Sequence, residues 1–281
     1  SFDGCATPLP KGLSRLLKRL RVPVIMIKTS GAFLRDPLYN CLQKRKVPVH
    51  ADVTCLFSRR ETETLDAAEM DKILRDAFTF DNFADQKKSR TAVTEPFRAD
   101  GLHRILYRCA ACGAEGATEG RGTELFCRSC GKKYTLTEYG ELSAQDGKTE
   151  FSHIPDWYEA ERREVRREIE NGSYLLDTEV EIGVMRDYKA IYMTGSGRLR
   201  HDCGGFTLTD GEGKVLYRQK PQASYSLYAD YFWYELGDVI CIGDRETLYY
   251  CFPKDGSPVA KARLAAEELY KIAKERLCAN A

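Results

Sequence analysis

Nowhere in the 281 residues does an apolar run reach the roughly 18 residues that a membrane-spanning helix needs. Neither sign of charge is in excess. Lys and Arg number 43 against 42 Asp and Glu, so no global attraction to nucleic acid or to a membrane is implied. Histidine is scarce, at four residues, which makes any scheme built on an imidazole easy to test. A disulfide framework is also lacking. Of eleven cysteines, seven (Cys5, Cys41, Cys55, Cys203, Cys241, Cys251 and Cys278) are scattered and odd in number. That pattern fits a reducing, cytoplasmic compartment.

The other four cysteines form two matched knuckles, Cys109-Ala-Ala-Cys112-Gly113 and Cys127-Arg-Ser-Cys130-Gly131, with fourteen residues between them. Two residues between thiolates let one tight turn aim both sulfurs at a single tetrahedral ion, and the glycine after each pair suits a sharp turn beneath it. Gly116, Gly120 and Gly122 make the intervening stretch a hairpin. The spacing predicts a structural zinc site with Cys109, Cys112, Cys127 and Cys130 as its four ligands. With no open position, such a site holds its module together and does no catalysis.

Around this ribbon, expected over 104–137, the chain changes character several times. Residues 11–21 place Leu13, Leu16, Leu17 and Leu20 on one helical face, with Lys11, Arg15, Lys18, Arg19 and Arg21 over the remainder. Val22 to Ile27 reads as a short buried strand and Val47 to Phe57 as another. Helix followed by apolar strand is the grammar of an α/β layer, assigned to 1–95. Asp66-x-x-Glu69 is a capping box before a helix that buries Met70, Ile73, Leu74, Ala77 and Phe78. Residues 79–100 lose periodicity and read as a linker or strap. Residues 150–172 hold a charged connecting helix, Asp156 to Glu170, anchored by Trp157, Val165 and Ile169 and stopped by Asn171-Gly172. From 173 to 281 about seven short strands are separated by turns at Asp187-Tyr-Lys, Gly195-Ser-Gly, Asp210-Gly-Glu-Gly and Gly243-Asp-Arg. Ser257-Pro258 then opens a last helix with Ala262, Ala266, Leu269 and Ala273 at helical spacing. The expected fold is therefore an α/β half-domain, a small treble-free zinc ribbon, and a mainly β, barrel-like domain of pleckstrin-homology type plugged by its C-terminal helix.

One resemblance carries a functional expectation. Ser1-Phe-Asp-Gly4, a basic helix and then Val22-Pro23-Val24-Ile25 resemble the second half of the lysophosphatidate acyltransferase family. There, a Phe-Pro-Glu-Gly-Thr-Arg-Ser block is followed by a helix and a Val-Pro-Val-Ile-Pro strand. Ser1 aligns with the last residue of the block, and Met26 departs from the second proline. The likeness covers about the first third of the chain, and with the ribbon it resembles bacterial members carrying a C-terminal extension. It implies transfer of a fatty acyl group from acyl-CoA or acyl-carrier protein to lysophosphatidate, at the inner face of the cell membrane. It also implies a substrate-binding role for Ser1, Val22, Pro23, Val24 and Ile25. The family's chemistry needs His-x-x-x-x-Asp, in which the imidazole takes the acceptor hydroxyl's proton. Five residues after His50, His103, His153 and His201 stand Cys55, Arg108, Tyr158 and Phe206. No catalytic residue is therefore assigned here. The expectation is the C-terminal portion of a longer enzyme, inactive alone.

The basic helix can hold an anionic lipid surface, a phosphate or an acyl-carrier partner, or simply water while its leucines face the sheet. The aromatic group Tyr225, Tyr228, Tyr231, Phe232, Trp233 and Tyr234 is expected in the β domain's core and sheet packing, with ligand, partner or membrane contact as the alternative. A different class of function is a zinc-ribbon module binding protein or nucleic acid, with Arg108, Arg121, Arg128, Lys132 and Lys133 as its cations and Glu115, Glu119 and Glu124 diluting them. A third is a membrane scaffold with an inactive transferase half.

Overall fold

The computed structural model describes residues 2–256 and 258–279. The chain opens with helix α1 (Leu13–Leu20) and strand β1 (Val24–Ser30), then the short α2 (Ala32–Arg35) and β2 (His50–Phe57). β1 and β2 pair antiparallel as a two-stranded sheet, with Ile27 opposite Val53 and Ile25 opposite Cys55. Val24 and Leu56 turn toward a small cluster around Phe57, Met70 and Leu74, which Leu13 and Leu17 also join. Residues alternate along a strand, so Ile25, Ile27 and Val53 share the opposite face. All three are exposed, Ile27 and Val53 at 67%. The strand expected to be buried is thus open on one side.

Two N-terminal caps set the starts of the next helices. Ser58 and Glu61 form a reciprocal capping box at α3 (Arg59–Thr64). Asp66 accepts the Glu69 amide at 2.7 Å to start α4 (Ala67–Phe78). The segment expected to be a strap contains a further helix, α5 (Asn82–Ser89), capped by Asp81, whose Oδ1 accepts the amides of Phe83 and Ala84. It is latched rather than loose. Gln86 donates to the carbonyls of Thr91 and Glu138, and the Val93 amide donates to Glu138.

Beyond a turn of 3-10 helix at Leu102–Arg104, strands β3 (Thr118–Arg121), β4 (Glu124–Cys127), β5 (Lys133–Leu136) and β6 (Leu142–Ala144) make a four-stranded meander. Helix α6 (Ile154–Glu170) carries Pro155 in its first turn and buries Trp157, Val165 and Ile169, as its sequence implies. The C-terminal region forms seven strands: β7 (Leu176–Met185), β8 (Tyr192–Asp202), β9 (Gly205–Asp210), β10 (Val215–Gln219), β11 (Tyr228–Trp233), β12 (Gly237–Gly243) and β13 (Leu248–Pro253). Their order is β10-β9-β8-β7-β13-β12-β11, so the last strand returns beside the first. No ladder joins β10 to β11, and the sheet is not a closed barrel. Gly195-Ser-Gly197 is not a turn but lies inside β8. A Cβ on Gly197 would sit 2.1 Å from the Thr209 carbonyl oxygen, so glycine there serves close strand approach.

Helix α7 (Val259–Ala279) buries Ala260, Ala262, Leu264, Ala265 and Leu269. It runs beside α6, with Arg162 bridging Glu267 at 2.8 Å and Glu268 at 3.0 Å. The Ser257 expected to open this helix lies outside the described residues. One continuous core joins Phe2, the ribbon's Leu125, Tyr134 and Leu142, Trp157 of α6, Val180 and Leu199 of the sheet, and Leu264 of α7. The aromatic group divides. Tyr231 is buried against Phe2, with ring centroids 4.7 Å apart, whereas Tyr228 and Tyr234 are exposed.

His201 sits inside this core, its Nδ1 2.8 Å from the Tyr174 hydroxyl and its ring stacked on Phe206. Burial holds its pKa down to about 3. The neutral ring therefore contributes stability that is fully present above the unfolded value near 6.5 and is lost as pH falls toward 3. From this group alone, unfolding free energy should drop by about 2 kcal/mol between pH 7 and pH 5. Urea titrations at the two pH values measure it, and His201→Gln should lose that share of the slope.

Candidate metal centre

The first knuckle emerges from a buried lead, Leu102, Ile105, Leu106 and Tyr107. At its base the Cys109 amide donates to the Ala114 carbonyl and the Gly113 amide donates back to Cys109, each at 2.9 Å. The second repeats this design, with the Cys127 amide on Lys132 and the Gly131 amide on Cys127, both 2.9 Å. Gly113 and Gly131 have φ of 76° and 75°, the left-handed region where a side chain is disfavoured. The β3–β4 hairpin turns at Gly122, φ 64°, and its register sets Thr118 opposite Cys127, which carries the second knuckle back beneath the first.

The result is one cluster. Cys109 Sγ lies 3.8 Å from Cys130 Sγ, and Cys112 Sγ lies 3.8 Å from Cys127 Sγ. All four sulfurs are within 4.8 Å of one another. A disulfide would need about 2.05 Å. Four thiolates about 2.3 Å from a tetrahedral centre stand about 3.8 Å apart, so these sulfurs fit a single metal ion. Cys109 and Cys127 are buried and Cys112 and Cys130 exposed, which places the centre at the surface with its inner pair anchored. Burial pushes the Cys109 thiol up to about 12, while the Ala114 backbone amide draws Cys112 down to about 7.

What holds this centre in place was not visible in the spacing of its cysteines. Trp157 Nε1 donates to the Arg108 carbonyl, and the Arg108 amide donates to Glu161 Oε1, both at 2.9 Å. Glu161 is enclosed, its Oε2 has no partner among the described residues, and burial raises its pKa well above the usual carboxylate range. The Arg108 guanidinium meets Glu115 at 3.0 Å and Glu164 at 3.3 Å. Lys261 of α7 reaches Glu115 at 2.7 Å and Glu168 at 2.9 Å. The knuckle is thus pinned to both long helices. The Trp157 anchor was legible as a lone aromatic on a charged helix; Glu161 gave no signal, because it reads as one acid among many.

These contacts also occupy most of the ribbon's cations. Arg128 donates to the Gly116 carbonyl and Lys132 to those of Asp146 and Lys148. Among the expected nucleic-acid contacts, only the Arg121 and Lys133 side chains are left without a bond to the described residues.

The four histidines are dispersed. His50 is exposed at the start of β2. His103 accepts the Gly120 amide through Nδ1, and burial lowers its pKa. His153 Nε2 lies 2.7 Å from Asp81 Oδ2, stapling α6 to α5. Among the described residues, none has a serine, threonine or cysteine as its partner. Of the residues tied to substrate by resemblance, Val22 and Pro23 precede β1 and are exposed, Val24 is half-buried toward α4, and Ile25 points to the open face. Ser1 lies outside the described residues. No helix among the described residues is long and apolar enough to cross a membrane. No family model matches this chain, and no curated protein matches it at a significant level.

Proposed function

We infer that this chain is the C-terminal portion of a glycerophospholipid acyltransferase. The intact enzyme moves a fatty acyl group from acyl-CoA or acyl-carrier protein to lysophosphatidate at the inner face of the cell membrane. The observation that carries this reading is the β1–β2 sheet. A two-stranded sheet with Ile25, Ile27 and Val53 open on one face is marginal by itself and calls for further packed elements. The reading supplies them as a catalytic segment ahead of Ser1, bearing the His-x-x-x-x-Asp that this chain lacks. In that segment the imidazole takes the acceptor hydroxyl's proton, the oxygen attacks the thioester carbonyl, and the donor leaves as a thiol.

The ion held by Cys109, Cys112, Cys127 and Cys130 is, on this reading, zinc, the commonest occupant of a closed four-thiolate site beside iron–sulfur centres. The seven-stranded antiparallel sheet with its last strand paired to its first, together with α7 against β11 and β12, supports a pleckstrin-homology-like module appended for positioning.

The test is to express the chain with its upstream coding sequence and to assay acyl transfer beside residues 1–281. The extended protein should turn over, and alanine at its motif histidine should cost about 10²–10⁴-fold. The present chain should show no turnover. Transfer by residues 1–281 alone, or an upstream frame without the motif, removes the proposal.

A further inference from the structure

Charge in this chain is sorted along its length. Residues 1–57 carry ten Lys and Arg against Asp3, Asp36 and Asp52, a local excess of seven positive charges in a protein whose total is +1. No ion pair involves any of these ten cations among the described residues, whereas α6 and α7 are laced with them.

Helix α1 concentrates this excess beside exposed apolar side chains. Its leucine stripe is rotated away from the expected orientation. The innermost residue is Ser14, 1% exposed, and Leu13 and Leu17 are half-buried against the Phe57–Met70–Leu74 cluster. Leu16 and Leu20, one turn apart, face solvent at 52% and 54%, and Val22 follows at 46%. Arg15 and Arg19, also one turn apart, run beside them, and Lys11 and Arg21 flank the helix, all exposed. Lys18 alone is tied down, donating to the Leu65 carbonyl.

Unpaired cations beside exposed leucines match the two layers of an anionic bilayer surface, with phosphates at the level of the guanidinium groups and acyl chains beneath. We propose that α1 is a membrane-docking element, seating Leu16, Leu20 and Val22 at the acyl boundary of anionic phospholipid while Lys11, Arg15, Arg19 and Arg21 hold the headgroups. It deepens the membrane-facing part of the proposed function and is independent of acyl transfer, because binding is read without turnover.

The probe is sedimentation of the metal-loaded 281-residue chain with phosphatidylcholine vesicles containing about one-third phosphatidylglycerol. The chain should pellet at low salt, fail to pellet with pure phosphatidylcholine, and detach as salt rises. Arg15→Glu with Arg19→Glu should weaken partitioning at least about twentyfold, at about fivefold for each cation removed from the surface. Leu16→Ser with Leu20→Ser should weaken it about tenfold and leave the salt dependence intact. All four side chains are exposed, so thermal midpoints should not move, and Lys11→Glu with Arg21→Glu provides a charge variant outside the helix. Absence of pelleting with the anionic vesicles overturns the proposal. So does a leucine variant that pellets like the parent, because the contact would then be ionic attraction alone.

Discussion

Chelating the metal, or replacing Cys127 with serine, should unfold the ribbon rather than merely empty it. Structural zinc contributes on the order of 10–16 kcal/mol in small finger peptides, more than a short four-stranded meander can supply by packing. The loss should not stop at the knuckles. Leu125, Tyr134, Leu136 and Leu142 belong to the same core as Trp157, Val180 and Leu264, so apolar surface of α6 and the large sheet becomes exposed with them. One metal ion per chain should be released to a colorimetric chelator, with a parallel loss of circular dichroism and a large fall in thermal midpoint. Acid should act in the same direction. The ligands must be thiolates, and protons compete for them, so affinity weakens as pH falls. Cys55→Ser, an exposed thiol outside the cluster, is the control and should change nothing. Unchanged structure and no metal in the eluate would identify four free thiols instead.

The centre was readable because its geometry is local. Each knuckle closes within a few residues, and glycine at φ near 75° is written into the spacing. The Asp66 cap, α6 and the seven-strand count were legible for the same reason, since periodicity and turn chemistry act over short ranges. Failures came where long-range contacts decide. Periodicity gave α1 a leucine stripe but could not say which part of its circumference meets α4, and the buried direction proved to be Ser14. Gly195-Ser-Gly197 looked like a turn because the sequence does not reveal the Thr209 carbonyl pressed against Gly197. The helix at Asn82–Ser89 is different: Asp81 is an available cap signal, as Ser58-x-x-Glu61 is for α3, and neither depends on distant contacts.

Trp157→Ala should be the most damaging single change away from the metal. The indole is 1% exposed, edge-on to Tyr134 with centroids 5.1 Å apart, and tilted against Phe151 at 6.1 Å. Truncating so large a buried ring costs about 3–5 kcal/mol through lost transfer energy and the cavity left behind. A second loss is chemical. The indole N–H satisfies the carbonyl of Arg108, the residue before Cys109, so its removal frees the backbone that aims the first thiolate. Support beyond the ligands commonly affects metal affinity by about 10–100-fold, and a fall of that size is expected here. Trp157→Phe separates the two effects. It keeps most of the ring but not the N–H, so stability should fall by only about 1–2 kcal/mol while the Arg108 carbonyl is still orphaned. Trp233, the other tryptophan, stays as a fluorescence probe for urea titrations of both variants. If the alanine variant matched the parent in stability and metal retention, α6 would be a neighbour of the ribbon and not its support.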